Sequence, residues 1–513
     1  MPEATVRPSG SPPPDPRRTE PAQREPERNE PERNNPERHE PEGNAPEGNE
    51  LDTDSPALWT RRLVPPLLAV LATVTYGLLG SQQWRNLVSP SWDLGIFTQL
   101  ARAYGELGAP IVPIKGDAVN LLGDHFHPIL VLLAPVWWAW PSGEALLWTQ
   151  ALLFGISAIP LTRVAIDRLG PGLGSAAGAA YVFSFGLQAA ADVQFHEIAF
   201  AVPLLAFSLS ALLRERIGLA VAWAAPLVLV KEDLGLTVAV LGAVIALRHR
   251  THRREGLGLA SWGIGWFVLS TFVVLPILNT AGQYDYTDNL GSPLDVFWPP
   301  LKWMTVGMLL LAAGLIGARS PLIWLMVPTL AWRFTGTVEF YWDWYWHYNA
   351  VLMPIALAAL LDALGDRRTG RATAWLRTNV PRPARTVRIT AVAASATVTL
   401  VLGASMPLLD LAREHKWERT WRAAPAQEAL DAVPDGAVLA SDITLLAQAV
   451  PDHDVHWVHG PNLRVPDCVL ADRYAFSWGD RFPEDPAGWA QGRWGASYAT
   501  VLDEGGFIVV CRD

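Results

Sequence analysis

From Arg61 to about Met406 the chain alternates apolar runs with short polar turns. The runs lie near 63–80, 144–162, 172–190, 198–213, 217–230, 234–247, 257–278, 301–317, 320–334, 347–363 and 389–409. Continuous apolar sequence on this scale predicts membrane-spanning helices. Several runs are shorter than the roughly 20 residues of a straight crossing, so short or tilted helices are expected. A further run, PILVLLAPVWWAWP at 128–141, is bounded by Pro and holds a third Pro inside. It predicts a partial or re-entrant segment. The expected class is mainly α: a polytopic helical membrane protein of about 11–13 spans.

Two stretches break this pattern. DLGIFTQLARAYGELG (93–108) places Leu94, Phe97, Leu100 or Ala101, Tyr104 and Leu107 on one stripe, with Arg102 and Glu106 off it. That periodicity predicts a helix lying in the membrane interface. After Pro407 the segment 408–434 reads as one or two helices, and β-like runs follow at 437–440, 454–458, 467–471, 498–502 and 507–511. Turn residues separate them, which predicts a small α/β domain.

Residues 25–49 repeat a Pro-containing pentad (EPERN, EPERN, NPERH, EPEGN, APEGN) with almost nothing apolar to bury. Pro at that spacing blocks helix, so residues 1–55 are expected to be a disordered tail. The expected division is a tail at 1–55, a transmembrane domain at 56–410 and an α/β domain at 411–513.

Of the 513 residues 50% are hydrophobic, only 18% are charged and 24 are Trp, in keeping with a polytopic membrane protein. The formal net charge of −10 resides largely in acids at the two ends. Lys and Arg are not clustered on a folded domain, which argues against nucleic acid as a partner. Arg163 and Arg168, then Arg214 and Arg216, then Arg248, Arg250, Arg253 and Arg254 occupy alternate loops. Arg319 continues the series, as does the group Arg367, Arg368, Arg371, Arg377, Arg382, Arg385 and Arg388. The positive-inside rule makes these loops cytoplasmic, and Arg61 and Arg62 place the N-terminus with them. The protein is then expected in the plasma membrane, with the C-terminal domain extracytoplasmic. Cys468 and Cys511, the only two cysteines, fall in that domain, either as a pair or as unpaired strand residues.

The outward loops hold the polar groups that lipid disfavours. Asp93 stands beside Trp92 at an apolar boundary, where it is expected either to cap the following helix or to act as a general base with a raised pKa. GDHFHP (123–128) brings Asp124, His125 and His127 together, as a metal or phosphate site or as interfacial polarity. QFHEIAF (194–200) sets His196 and Glu197 at the mouth of a span. LVLVKEDLGL (227–236) carries Lys231, Glu232 and Asp233, either as a wet turn or with Lys231 holding a phosphate. EFYWDWYWHY (339–348), if helical, aligns Glu339, Asp343 and His347 on one broad face. An interfacial aromatic belt accounts for its Trp residues but not for its ionisable ones, and aromatic rings beside carboxylates suit sugar binding. Walker-type, G-x-S-x-G and H-E-x-x-H motifs are absent from the sequence.

The sequences SWDLGIFTQ, NLLGDHFHPILVLLAPVWWAWP, DVQFHEIAFAVPLLAF, LVLVKEDLGL and WHYNAVLMP resemble a bacterial multi-pass family of predicted membrane proteins, over roughly residues 60–512. That family is similar in architecture to the GT-C superfamily of polyprenyl-phosphate-sugar-dependent glycosyltransferases. The resemblance implies that Asp93 is the catalytic carboxylate and deprotonates the acceptor, with inversion at the anomeric carbon. His125, His127, Lys231 and His347 are then expected to bind the donor phosphate. Asp124, His196, Glu197, Glu232, Asp233, Glu339 and Asp343 would hold the acceptor or a metal. The sequence reads His-Glu where oligosaccharyltransferases carry Asp-x-Asp/Glu, which leaves a divalent metal (Mg or Mn) open and no cofactor required. The implied partners are membrane lipid and a polyprenyl-phosphate sugar. A lipid or solute transporter or flippase, and a non-catalytic membrane scaffold, are the alternatives.

Overall fold

The computed structural model describes residues 56–282, 289, 291–365, 385–461, 464–476 and 481–513. The tail at 1–55, Asp285, Asp288, Arg367, Arg368, Arg371, Arg377 and Arg382 lie outside the described residues.

Every apolar run read above is helical over most of its length. Five helices are long and apolar enough to cross a membrane: Trp59–Arg85, Gly143–Leu169, Arg250–Leu278, His347–Leu364 and Arg385–Gly403. Others are shorter, among them Glu197–Leu213, Ile217–Leu229, Leu234–Arg248 and Leu301–Ala312. Proline contributes to the interruptions. Pro226 and Pro321 each stand at the start of a 3-10 stretch, where a missing N–H costs no α-helical bond. The segment at 128–141 is a 3-10 turn, Pro128–Leu133, followed by a short helix, Ala134–Ala139. It is too short to cross as a straight helix. The protein is a multi-pass helical membrane protein carrying a small sheet domain.

That domain is a five-stranded sheet of β1 (Val438–Ser441), β2 (Asp454–Trp457), β3 (Cys468–Asp472), β4 (Tyr498–Glu504) and β5 (Phe507–Arg512), in the order β2-β1-β3-β5-β4. β1 runs parallel to β2 and β3, while β5 runs antiparallel to β3 and β4. Central β1 and β3 are buried at every position and edge β4 is mostly exposed, as their apolar content requires. Cys468 faces Cys511 across the β3–β5 ladder, and the two form a disulfide. The segment at 408–434 forms one α-helix, Ala423–Asp431, preceded by 3-10 turns at Pro407–Ala412 and Glu414–Lys416.

The Asp93–Gly105 helix joins the two parts. All its residues from Leu94 to Ala101 are buried, so it does not lie amphipathically at a free interface. The stripe prediction assumed water over the second face, and the sheet domain covers that face instead. Gln99 Nε2 donates to the Val455 carbonyl at 2.9 Å. Arg102 Nη1 donates to the carbonyls of Val450 and His453 at 2.6 and 2.8 Å. At Gly95 a Cβ would stand 2.7 Å from Leu446 Cδ2, so the glycine permits the close approach. One hydrophobic core runs from Leu94 and Ile114 into Leu439, Leu446 and Val455 of the domain.

Candidate functional site

Asp93 opens that helix. The N-cap residue is Trp92, and no side chain makes a cap hydrogen bond. The capping role expected for Asp93 is therefore corrected: its carboxylate stands at the positive end of the helix dipole without capping it. The side chain keeps 28% of its surface exposed, and Oδ2 lies 3.4 Å from His196 Nε2, an ion-pair distance rather than a short hydrogen bond. Burial raises the Asp93 pKa, but His196, Ser91 and Lys115 outweigh it and hold the carboxyl below its usual value. The expected raised pKa is corrected too, because His196, Ser91 and Lys115 stand at the boundary read from Trp92 as apolar. The group stays ionised at neutral pH. A carboxylate of this kind can accept a proton only from a group that becomes acidic as a reaction proceeds, and as a fixed anion it favours developing positive charge.

His196 is held by a strained turn. Gln194 has a left-handed φ of 71°, uncommon for a side-chain-bearing residue. Gln150 fixes this turn: Nε2 donates to the carbonyls of Ala190 and Gln194 at 3.1 and 3.0 Å, and Oε1 accepts from the His196 N–H at 3.3 Å. His196 Nδ1 faces the Gln194 carbonyl at 3.2 Å while Nε2 faces Asp93, so both ring nitrogens point at acceptors. The ring stacks on His347 with centroids 3.8 Å apart. Phe97, on the Asp93 helix, meets His127 and His196 edge-on at 6.1 and 6.0 Å. At Gly186 a Cβ would lie 2.8 Å from the Asn349 carbonyl oxygen, which makes room for the turn bearing His347.

The remaining charges are paired. Lys231 Nζ lies 2.7 Å from Glu197 Oε1, and both residues are buried. His125 Nδ1 lies 2.8 Å from Glu232 Oε1, while Glu232 Oε2 accepts from the Phe126 N–H at 3.0 Å. Lys115 Nζ meets Asp124 Oδ2 at 2.8 Å. Asp233 Oδ2 accepts from the Trp332 indole at 2.9 Å. Burial opposes the Lys231 charge, but Glu197, Glu232 and Asp233 outweigh it and raise its pKa. Burial likewise opposes the Glu232 charge, and His125 and Lys231 reverse it, holding the carboxyl well below its usual value. Asp233 is pushed up to about 6 by burial, with Glu232 adding repulsion against an opposing Lys231. Burial drives the His127 imidazole down to about 4. The buried Nδ1 atoms of His127 and His347 carry no hydrogen-bond partner. Lys231 thus already has an anion, and these two imidazoles each carry an uncommitted nitrogen, as does His196 at Nε2.

Glu339 and Asp343 do not join the cluster. Residues 339–348 are not one helix: 3-10 turns at Glu339–Tyr341 and His347–Asn349 flank an irregular stretch. The common face expected for Glu339, Asp343 and His347 is corrected accordingly. Glu339 is exposed, and Asp343 Oδ1 accepts from the Tyr345 N–H at 2.9 Å. The physical reason is Arg333, which is fully buried. It donates to the carbonyls of Tyr341 and Asp343 at 2.7 and 2.8 Å and to Asn349 Oδ1 at 2.9 Å. It so takes up carbonyls that a helix would bond internally. Arg333 and Lys115 were not singled out in the sequence, although a lone Arg in the apolar run 320–334 signals a buried partner. Among the described residues no group of three or more His, Cys, Asp or Glu side chains is placed to hold a metal ion. Asp124, Glu197 and Glu232 each hold a cationic side chain instead.

The profile of a family described as Predicted membrane protein (DUF2079) matches residues 83–451, more than half of the chain. The chain belongs to this family. Its matched region takes in Asp93, the His125, His196, Lys231 and His347 segments, and β1 of the sheet domain. No curated protein matches. Among solved structures the chain is similar to ArnT from Cupriavidus metallidurans, in a crystal structure bound to undecaprenyl phosphate, at 15% identity and a TM-score of 0.46. The similarity covers 86% of this chain and 97% of that one.

Proposed function

We propose that the protein is an integral-membrane transferase that moves a sugar from a polyprenyl-phosphate donor to an acceptor at the outer face of the plasma membrane. The observation that carries the reading is Asp93, an ionised and partly exposed carboxylate beside His196, at the start of a helix held by a folded domain. The donor class is the one implied by the resemblance set out from the sequence. The disulfide between Cys468 and Cys511 supports an oxidising compartment for that domain, and with it for Asp93.

In the proposed reaction Asp93 takes the proton of an acceptor hydroxyl or amine. The acceptor atom bonds the anomeric carbon as the bond from that carbon to the phosphate oxygen breaks. The electron pair leaves with the lipid phosphate, and the anomeric centre inverts. Buried donors nearby stabilise the departing oxyanion. His347 and His127 are the uncommitted candidates, with Lys231 and His125 available by exchange from Glu197 and Glu232. His196 orients Asp93. Asp124 and Asp233 complete the charge lattice, while Glu339 and Asp343 are left without a role in the reaction. With three of the acids already paired to cations, no step is routed through a metal.

The test is transfer by the purified full chain in lipid nanodiscs, supplied with polyprenyl-phosphate sugars and membrane extract as acceptor. Release of free polyprenyl phosphate is the readout. Wild-type release with Asp93→Asn running at full rate would refute the reading.

A second reading, an ion-coupled transporter, is favoured by one observation. The buried Lys231–Glu197 and His125–Glu232 pairs adjoin helix interruptions at 193–200 and 225–233. It requires alternating access: a cysteine placed at Glu232 would be labelled from both sides of the membrane in turn, whereas a transferase exposes it to one side only.

A further inference from the structure

The chain just ahead of the helix Leu301–Ala312 turns large apolar side chains outward. Leu294, Phe297 and Trp298 are 73%, 62% and 71% exposed, within or just after the 3-10 turn Pro293–Phe297. Phe297 stacks on Trp303 with ring centroids 6.2 Å apart. Trp303 and Met304 are themselves exposed in the first turn of the helix. The patch is therefore continuous with the face that an apolar helix of this membrane protein offers to lipid. Adjoining apolar side chains of this size mark a contact surface, whereas scattered ones do not.

The turn stands at the Asp93 end of the bundle. The Gly291 N–H donates at 2.8 Å to the carbonyl of Thr335, the last residue of the helix Val327–Thr335. In that helix Arg333 donates to Asn349 Oδ1, in the same 3-10 turn as His347.

The backbone of the turn meets its polar needs without water. Asp295 Oδ2 accepts from the Ser292 N–H at 2.7 Å, and Ser292 Oγ accepts from the Leu294 N–H at 3.3 Å. The Trp298 N–H donates to the Asp295 carbonyl at 3.1 Å, and Pro299 and Pro300 have no N–H. Lys302, fully buried, donates to the carbonyls of Asp295 and Phe334 at 2.6 and 2.8 Å. The Trp303 indole donates to the Phe297 carbonyl at 3.2 Å. Backbone that approaches hydrocarbon has to satisfy its polar groups within the protein. The exposed carboxylate of Asp295 sets the limit of depth, at headgroup level, where Trp is favoured. Cationic attraction contributes little: Lys302 is the only Lys or Arg in 291–304, and 336–348 has none.

We infer that residues 293–298 are seated in the lipid leaflet on the Asp93 side, with Leu294, Phe297 and Trp298 at the boundary between headgroups and acyl chains. Apolar burial holds the seat, and anionic lipid is not needed. The inference does not depend on the transfer reaction and stands if that reading fails.

Nitroxide labels on Leu294→Cys and, separately, Trp298→Cys test it, in the full chain in phosphatidylcholine nanodiscs. Cys468 and Cys511 are bonded to each other, so only the introduced thiol is labelled. Power saturation compares collisions with oxygen, which partitions into lipid, and with a water-soluble nickel chelate. Oxygen is expected to dominate at both positions, as at Val268→Cys on the exposed face of a spanning helix. The nickel chelate is expected to dominate at Val501→Cys, exposed on β4, so the balance changes sign between turn and sheet. Adding phosphatidylglycerol is expected to leave the values at Leu294→Cys unchanged. Dominance of the nickel chelate at either turn position overturns the inference. Exclusion of both reagents, with spin–spin broadening in discs that hold two chains, overturns it in favour of a second copy. A requirement for phosphatidylglycerol overturns it in favour of a charge-held surface contact.

Discussion

The two ends of the helical bundle use charge differently. At the end rich in arginine, carboxylates act as ties: Asp167 receives Arg61 at 2.7 Å and Arg214 at 3.1 Å. Asp362, 2% exposed, receives Arg248 at 2.7 Å and the Ser320 hydroxyl at 2.6 Å. Arg168 donates to the Leu361 carbonyl at 2.8 Å and to the Leu213 carbonyl as well. Arg61, Arg168, Arg214 and Arg248 thus meet carboxylates or helix carbonyls, which is what holding a bundle closed requires. At the other end the pairs Lys231–Glu197 and His125–Glu232 are equally tight, yet His127 and His347 keep nitrogens without partners and Asp93 stays partly open. Orphaned nitrogens occur at the arginine-rich end too, at His249 Nε2 and Arg388 Nε, so the difference lies in the partly open carboxylate of Asp93 beside two stacked imidazoles.

The contrast breaks most sharply at Asp93. Asp93→Asn is expected to cut transfer by about 10²–10⁴-fold, the range for loss of a general base, with the melting temperature in detergent unchanged. Asp362→Ala makes the opposite prediction. It removes the buried partner of a half-buried Arg248 and of the Ser320 hydroxyl and is expected to cost about 1–3 kcal/mol by thermal unfolding, with turnover per folded molecule preserved. A turnover loss as large as that of Asp93→Asn would erase the distinction between the ends.

Cys468→Ser with Cys511→Ser is expected to destabilise the sheet domain by about 2–4 kcal/mol. Hydrogen exchange should rise in β3, β5 and the Asp93–Gly105 helix and stay unchanged around Asp362. The smallest effect concerns pH. Asp233 has a folded pKa of about 6 against an unfolded value of about 3.9. The folded state therefore binds the proton more tightly, and its contribution is full below the unfolded value and lost as pH rises toward 6 and above. Asp233→Asn is expected to flatten stability between pH 4 and 7 and to add about 1–3 kcal/mol at pH 8, read from thermal melts across that range.

The helical runs, the strands of the sheet and the gathering of Asp93, His196 and His347 were legible because each rests on local pattern: apolar length, alternation, or an ionisable group in a place lipid disfavours. What depended on tertiary partners was not. Nothing local in 93–108 announced that Val450, His453 and Val455 would cover its polar side. Periodicity in 339–348 favoured a helix until Arg333 took its carbonyls. Lys231 read as part of a wet turn or as a phosphate holder because Glu197, its counter-ion, lies 34 positions earlier.

The grip of the sheet domain on the Asp93–Gly105 helix has a mechanical consequence. Gln99 and Arg102 fasten the middle of a short rod whose first residue is Asp93. A rigid lever transmits tilt along its length, so whatever seizes the aqueous domain, such as a neighbouring envelope protein or a polymer strand, also aims Asp93. Three hydrogen bonds thus couple the position of Asp93 to the sheet domain.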